Sequence, residues 1–293
     1  MGDADKRSGQ IIGAIVENFC RLCGHELSLR TYGGSECKWC ESLTVNELPT
    51  SSEISEYYEK YNETYIGGGN SEGKNLSRYA ITYLKIIRRC LPNNLETLLD
   101  IGSSISPFPN IAHHNGFKVS CLDYSKPKSL IDDVEFIEGN INDDHVLAKK
   151  RVFDVITAWA VLEHTTHPDF AIRTIAALCK TGGYIVVSVP ENGTYLTKYS
   201  VGHSGWFCPP EHLNLISPKA MVSMFEKSKC KFVTSGRYEL SKFRFFLRYS
   251  VGVLETFLGF SYKCIFPKKW ELLREGKIQH FKGLIYLVFK KVS

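Results

Sequence analysis

The hydrophobic positions of the 293-residue chain change period several times, and the changes mark out its elements. From Ser71 to Cys90, the residues Leu76, Tyr79, Ala80, Tyr83, Leu84, Ile86 and Ile87 recur at helical spacing, and Pro92 follows, which predicts one amphipathic helix. Beyond it the pattern shifts to short apolar runs, each broken by a polar residue, with helical stretches between them. The clearest are Leu98-Leu99-Asp100-Ile101-Gly102 and Lys118-Val119-Ser120-Cys121-Leu122-Asp123-Tyr124. A third, Phe153 to Ala160, runs on into Val161-Leu162-Glu163-His164. This rhythm predicts a parallel α/β sheet with its ligand at the carboxyl ends of the strands, and we read the three runs as acidic strand ends. Later runs at Lys231–Glu239 and Gly283–Lys291 read as two further strands.

Asp123 stands roughly 20 residues after a strand-to-helix turn, where a carboxylate can accept two hydrogen bonds from a ribose diol. A helix cap for Asp100 and a turn role for Asp123 are the ordinary alternatives. Arg78, one turn into the first helix, faces either a ligand carboxylate or solvent.

Near the N-terminus the pattern carries different chemistry. Cys20-Arg-Leu-Cys23-Gly-His and Cys37-Lys-Trp-Cys40-Glu form two CxxC turns separated by 13 residues. Two such turns supply four thiolates in tetrahedral array, a closed structural site for Zn²⁺. Leu27 to Tyr32 and the Gly33-Gly34 turn read as a small hairpin between them. His25 is the alternative fourth ligand, and four free buried thiols are the bland reading. The expected boundaries are a disordered tail at 1–14, a zinc ribbon at 15–48 and a Tyr/Gly-rich linker or lid at 49–71. A ligand domain at 72–293 then contains an insertion at 240–282. The linker tyrosines either close over the pocket or pack one helix face.

Composition narrows the choice modestly. The net charge of +5 is mild and does not mark an obligate nucleic-acid binder. No apolar run reaches 18 residues and the N-terminus has no signal-peptide core, so a cytoplasmic protein with reduced thiols is expected.

Taken together, these residues resemble the class I S-adenosylmethionine (SAM)-dependent methyltransferases. The nearest branch is the small-molecule O-, N- and C-methyltransferases, among them the ubiquinone-biosynthesis group and several sugar and natural-product enzymes. The most specific stretches are Phe153 to His164 and Ala177 to Pro190, the latter with the pair Gly182-Gly183 opening a strand. The resemblance implies a Rossmann-like, doubly wound seven-stranded sheet with an antiparallel last strand, beside the small N-terminal zinc ribbon. It implies that Leu99 to Ser106, with Asp100, Gly102 and Ser104, forms the turn beneath the methionine part of SAM. Asp123 binds the ribose hydroxyls with Tyr124 beside the adenine. Asn140 and Ile141 read the adenine edge, and Ala158 and Trp159 turn their backbone to the SAM amino group. The first motif is glycine-poor: Ser104 and Ser106 stand where glycines are usual, and a serine there adopts positive φ only with strain.

Methyl transfer is an in-line displacement at a sulfonium carbon, and a hydroxyl acceptor must lose a proton. The candidate bases are His164, at the rim after the fourth strand, and His203 and His212 in the loop after the fifth. The expected acceptor is a hydroxyl, amine or carbon of a small molecule such as a sugar nucleotide or other saccharide. An RNA methyltransferase gripping its substrate with the ribbon and a non-catalytic scaffold are the alternatives. The aromatic and basic stretch 243–260 is read as a lid or dimer surface, a membrane-surface helix, or a wall of the acceptor pocket.

Overall fold

The computed structural model describes residues 19–27, 29–31, 34–50, 52–54, 56–57, 71–143, 151–190, 209–238 and 284–293. The expected tail at 1–14, most of the 49–71 linker, His203, and the insertion at 240–282 with its 243–260 stretch lie outside them.

Among the described residues, the predicted hairpin is the first sheet element. Strand β1 (Leu29–Thr31) pairs antiparallel with β2 (Gly34–Glu36), and β2 pairs with β3 (Leu43–Val45). Helix α1 (Ser71–Cys90) matches its predicted span and buries Ala80, Tyr83, Leu84, Ile86 and Ile87. After it come β4 (Thr97–Ile101), α2 (Phe108–His114), β5 (Lys118–Asp123), β6 (Glu135–Glu138) and β7 (Phe153–Trp159). A 3₁₀ turn (Leu162–His164) leads to α3 (Pro168–Leu178) and β8 (Cys179–Pro190). A two-residue strand, β9 (Asn214–Leu215), precedes α4 (Pro218–Lys227), β10 (Cys230–Tyr238) and β11 (Leu284–Lys291). The N-terminus of α4 is capped by Ser217, whose hydroxyl accepts the Ala220 N–H.

Seven strands form one sheet in the order β10-β11-β8-β7-β4-β5-β6. β4, β5, β6, β7 and β8 run parallel, and β11 is antiparallel to both β8 and β10. The order reverses between β4 and β7, which makes the crevice at their carboxyl ends the topological switch point where such sheets bind ligands. Both faces are covered, so alternate residues of each strand enter different cores. Leu99, Ile156, Ala158, Val187 and Leu287 pack on the side of α3 and α4, whereas Leu98, Val155, Trp159, Val186 and Val288 pack on the side of α1 and α2.

Two features that the sequence reading did not contain matter for the site. The N-terminal hairpin sheet gains a strand that the residue pattern did not signal: β3 pairs antiparallel with β9, about 170 positions later, through Leu43↔Leu215 and Thr44↔Asn214. Second, only two of the three acidic runs put their acid at the ligand edge. Asp154 of the third run lies at the amino end of β7, where it accepts from the Thr97 N–H at 2.9 Å and Lys180 Nζ at 2.9 Å. It ties β4 to β8, and those partners hold its carboxyl well below the usual range against a burial that pushes the other way.

The glycine pair that opens β8 has two distinct jobs. Gly182 takes φ +84 in open space, whereas a Cβ on Gly183 would lie 2.9 Å from the carbonyl oxygens of both Asp154 and Lys180. Gly183→Ala should therefore destabilise by roughly 2–3 kcal/mol, from backbone displacement. Gly182→Ala should cost about 1 kcal/mol, from φ strain alone. Denaturant unfolding of the two variants checks the order.

Candidate functional site

The bend after β4 is built around Asp100. Its carboxylate is fully buried and accepts from Thr157 Oγ1 at 2.6 Å and Ser103 Oγ at 2.7 Å. Gly102 follows at φ +70, where a Cβ would strike Val161 Cγ2 at 2.7 Å, so the bend sits directly against the residues that leave β7. Ser104 adopts φ +47, the strained left-handed conformation expected of a serine in a glycine position. That twist turns the Ser104 N–H toward Asp123 Oδ2, 2.7 Å away. Asp123 also accepts the Tyr124 N–H at 2.7 Å. Two backbone donors thus fix the carboxylate at the end of β5 and leave lone pairs for a further pair of donors, such as a vicinal diol. Burial raises the Asp123 carboxyl above its ordinary range, and these amides pull it back.

The other predicted contacts fall around this bend unevenly. Tyr124 is exposed beside Asp123, and Ile141 is buried below the β6 end. The Asn140 side-chain oxygen accepts the Asn142 N–H at 3.0 Å, shaping its own turn. Ala158 is buried. Trp159 ends β7 with its indole stacked on Tyr83 at 4.0 Å between centroids, and its buried Nε1 has no hydrogen-bond partner among the described residues. Phe108 and Tyr238 meet this pair edge-on. Ala160 takes φ +55 and donates its N–H to Ser188. Arg78 is exposed on α1, next to the Tyr79 that meets Tyr238.

Two of the three candidate bases, His164 and His212, come together although 48 positions separate them in the chain. The His164 and His212 rings lie 4.6 Å apart at 68°. The segment bearing His212 is strung between two partners. Leu213 donates its N–H to Glu163 O at 2.8 Å and accepts the Val45 N–H at 3.0 Å. Asn214 Nδ2 donates to Thr165 O at 2.8 Å, and His164 Nδ1 lies 2.8 Å from Glu211 O. Tyr57, from the linker, donates its hydroxyl to Glu211 Oε2 at 2.7 Å.

Glu163 completes this cluster and was not among the predicted site residues. It is fully buried, and neither carboxylate oxygen has a hydrogen-bond partner among the described residues. Burial pushes its carboxyl up to about 8 and holds His164 well below the usual imidazole range, with His212 adding to the depression. A glutamate in the apolar context of Val161-Leu162 was the available signal.

The cysteines form a second cluster. Each CxxC turn is closed the same way, by Gly24 N–H to Cys20 O at 2.8 Å and by Glu41 N–H to Cys37 O at 2.7 Å. Gly24 and Glu41 both take positive φ, +75 and +61. Cys20 and Cys40 Sγ lie 3.5 Å apart, and Cys23 and Cys37 Sγ 3.6 Å apart. A tetrahedral centre with Zn–S bonds of about 2.3 Å spaces its sulfurs about 3.8 Å apart, so the donor set fits the ion closely. His25 instead stacks on Trp39 at 4.5 Å. Burial drives the Cys23 thiol up to about 12, a cost that a bound cation would reverse.

Comparison with known proteins agrees with this geometry. Residues 75–235, more than half of the chain, match the family described as methyltransferase domain. A ubiquinone biosynthesis O-methyltransferase of Serratia proteamaculans is 25% identical over 107 residues, which span 34% of this chain and 44% of that protein. The chain therefore matches less than half the length of that curated relative. A solved structure described as a candidate sarcosine dimethylglycine methyltransferase from Galdieria sulphuraria aligns with TM-score 0.50 at 11% identity, over 80% of this chain and 98% of its own. A candidate methyltransferase solved in complex with the Trm112 methyltransferase activator of Haloferax volcanii aligns with TM-score 0.51 at 14% identity, over 76% and 95%. At such identities the likeness is one of fold. No described helix is long and apolar enough to cross a membrane. The sheet order, the bend at the switch point and the family match together make this chain a member of the class I SAM-dependent methyltransferases.

Proposed function

We propose that the protein transfers a methyl group from SAM to a hydroxyl, amine or carbon of a small molecule, such as a saccharide. The single observation that carries the reading is Asp123, held by the Ser104 and Tyr124 amides at the mouth of the switch-point crevice. In this reading Asp123 takes the ribose hydroxyls, and Tyr124, Asn140 and Ile141 border the adenine. Asp100, Gly102 and Ser104 shape the bend under the methionine portion, with the Ala158-Trp159 backbone toward its ammonium. Arg78, exposed on α1, is assigned to the methionine carboxylate.

SAM supplies an electrophilic methyl carbon on a sulfonium. The acceptor atom attacks that carbon, the S–C bond breaks with its electron pair going to sulfur, and S-adenosylhomocysteine remains. A hydroxyl acceptor also gives up its proton to a base. Of His164 and His212, His212 suits this role better when no ion occupies the pair, because burial disfavours a second proton on His164, the neighbouring His212 adds to this, and the bond to Glu211 O only partly opposes it.

The insertion between β10 and β11 supports a substrate-side role for its residues. β10 ends at Tyr238 and β11 begins at Leu284, paired with each other and with Pro190 at the end of β8, so all three residues lie at the carboxyl edge of the sheet. The domain boundaries at 15–48, 49–71 and 72–293 form part of this proposal, as do self-association and membrane contact through 243–260. So does a structural Zn²⁺ on Cys20, Cys23, Cys37 and Cys40.

Three results follow. Asp123→Ala should weaken SAM binding in calorimetry by roughly 10- to 100-fold, as expected for a lost charge-assisted contact of about 1.5–3 kcal/mol. Unchanged affinity would refute the pocket. Asp100 gives a pH signature. Burial pushes its carboxyl from 3.8 up to about 7, Thr157 and Ser103 oppose the rise, and Asp123 adds to it. The folded state therefore keeps this proton longer than the unfolded chain, and the associated stability fades as pH rises from about 4 through 7. Relative to wild type, Asp100→Asn should gain stability across that window, at a slope of up to about 1.4 kcal/mol per pH unit, read by denaturant unfolding. Cys37→Ser should release bound zinc and lower the thermal midpoint, since the ion's binding energy is folding energy for so small a module.

A further inference from the structure

We propose that Glu163, His164 and His212 form a second cation site, a two-histidine, one-carboxylate centre for a divalent first-row transition ion. One donor atom from each residue lies within 4.8 Å of the others. That spacing is within a small rotamer adjustment of a common ligand sphere, and it arises from residues on two different segments locked together by the Leu213 N–H to Glu163 O bond.

Two features point to an ion and away from a plain hydrogen-bonded cluster. Glu163 is completely buried, yet neither of its oxygens is satisfied by any described residue. A buried carboxylate without partners costs several kcal/mol, and such groups ordinarily face a counter-charge. His164 is oriented as a metal ligand usually is. Its Nδ1 lies 2.8 Å from the Glu211 carbonyl, so Nδ1–H donates there and Nε2 keeps its lone pair. Glu211 is itself braced by the Tyr57 hydroxyl. The outer partners that orient a ligating imidazole are therefore in place.

Imidazole nitrogens with one carboxylate suit zinc, iron, cobalt or manganese, whereas magnesium and calcium want oxygen donors. Three protein ligands also leave coordination positions open, unlike the closed four-cysteine set. The cluster follows Val161, which packs against Gly102, so an acceptor oxygen bound to the ion would lie beside the bend that holds SAM. That last placement rests on the proposed SAM pocket, whereas binding of the ion does not.

Cobalt distinguishes this site from the thiolates by spectrum. The full chain, with zinc on its cysteines, should take up one equivalent of Co²⁺ showing weak visible bands and no thiolate charge-transfer absorption. Glu163→Gln and His212→Ala should each weaken this binding by roughly a hundredfold, while zinc content and far-ultraviolet circular dichroism remain those of the wild type. The paired readouts guard against misfolding, and the isosteric Glu163→Gln provides the milder change. The site is overturned if wild-type protein binds no Co²⁺ beyond a thiolate-type signal, or if both variants bind it as tightly as the wild type. Calorimetry with SAM on the same samples separates the two ideas. Cobalt uptake without SAM binding upholds the ion site and sinks the pocket, and SAM binding without cobalt uptake does the reverse.

Discussion

The backbone of Leu213 is hydrogen-bonded on both sides, to Glu163 at the end of the central sheet and to Val45 of the ribbon, and the candidate acceptor site depends on it. One residue thus satisfies an acceptor and a donor from two distant parts of the chain. On one side of Leu213 stands His212. On the other, β9 completes the ribbon sheet, and Ser217 then donates its N–H to Ser42 Oγ and its hydroxyl to Cys40 O. The four-cysteine cluster is thus a brace for the segment that delivers His212, and its own core is continuous with that of α3 and α4. If the proposed ion is bound there, its binding energy would stiffen this brace, because so short a segment could not hold its shape by apolar burial alone.

The carboxyl edge also gathers three carboxyl groups in a poorly solvated place, where ionising them is costly. Asp100 and Glu163 are fully buried and Asp123 is partly so, and burial raises all three carboxyls. A neutral ligand would do nothing to lower the cost of ionising them. SAM brings a sulfonium and an ammonium, and a divalent ion brings more, so cationic occupants relieve the strain that folding alone creates. The strained φ of Ser104 belongs to the same economy: the conformation that a serine adopts reluctantly is the one that aims its amide at Asp123.

Much of this was legible in the residues. The apolar spacing from Leu76 to Ile87 gives α1 its full span, and the alternating runs around Asp100, Asp123 and Phe153 give the parallel strands, because both signals are local. The CxxC spacing likewise brings the four thiols together. What escaped is non-local or contrary to residue type. A two-residue strand such as β9 has no period to detect, and its pairing partner lies about 170 positions earlier. Asp154 looked like a ligand-edge acid but is consumed by Thr97 and Lys180 at the opposite edge, and only strand direction reveals this. Glu163 was hidden inside an apolar run, and its neighbours His212 and Leu213 come from a segment that the sequence separates by α3 and β8.

A crystal of the full chain grown with S-adenosylhomocysteine tests the central claim most directly. The account predicts the ribose hydroxyls on Asp123 and the sulfur facing the side of Glu163 and His212, with Leu213 still bonded to Val45 and Glu163. A nucleoside bound elsewhere, or a His212 segment separated from the ribbon, would contradict it.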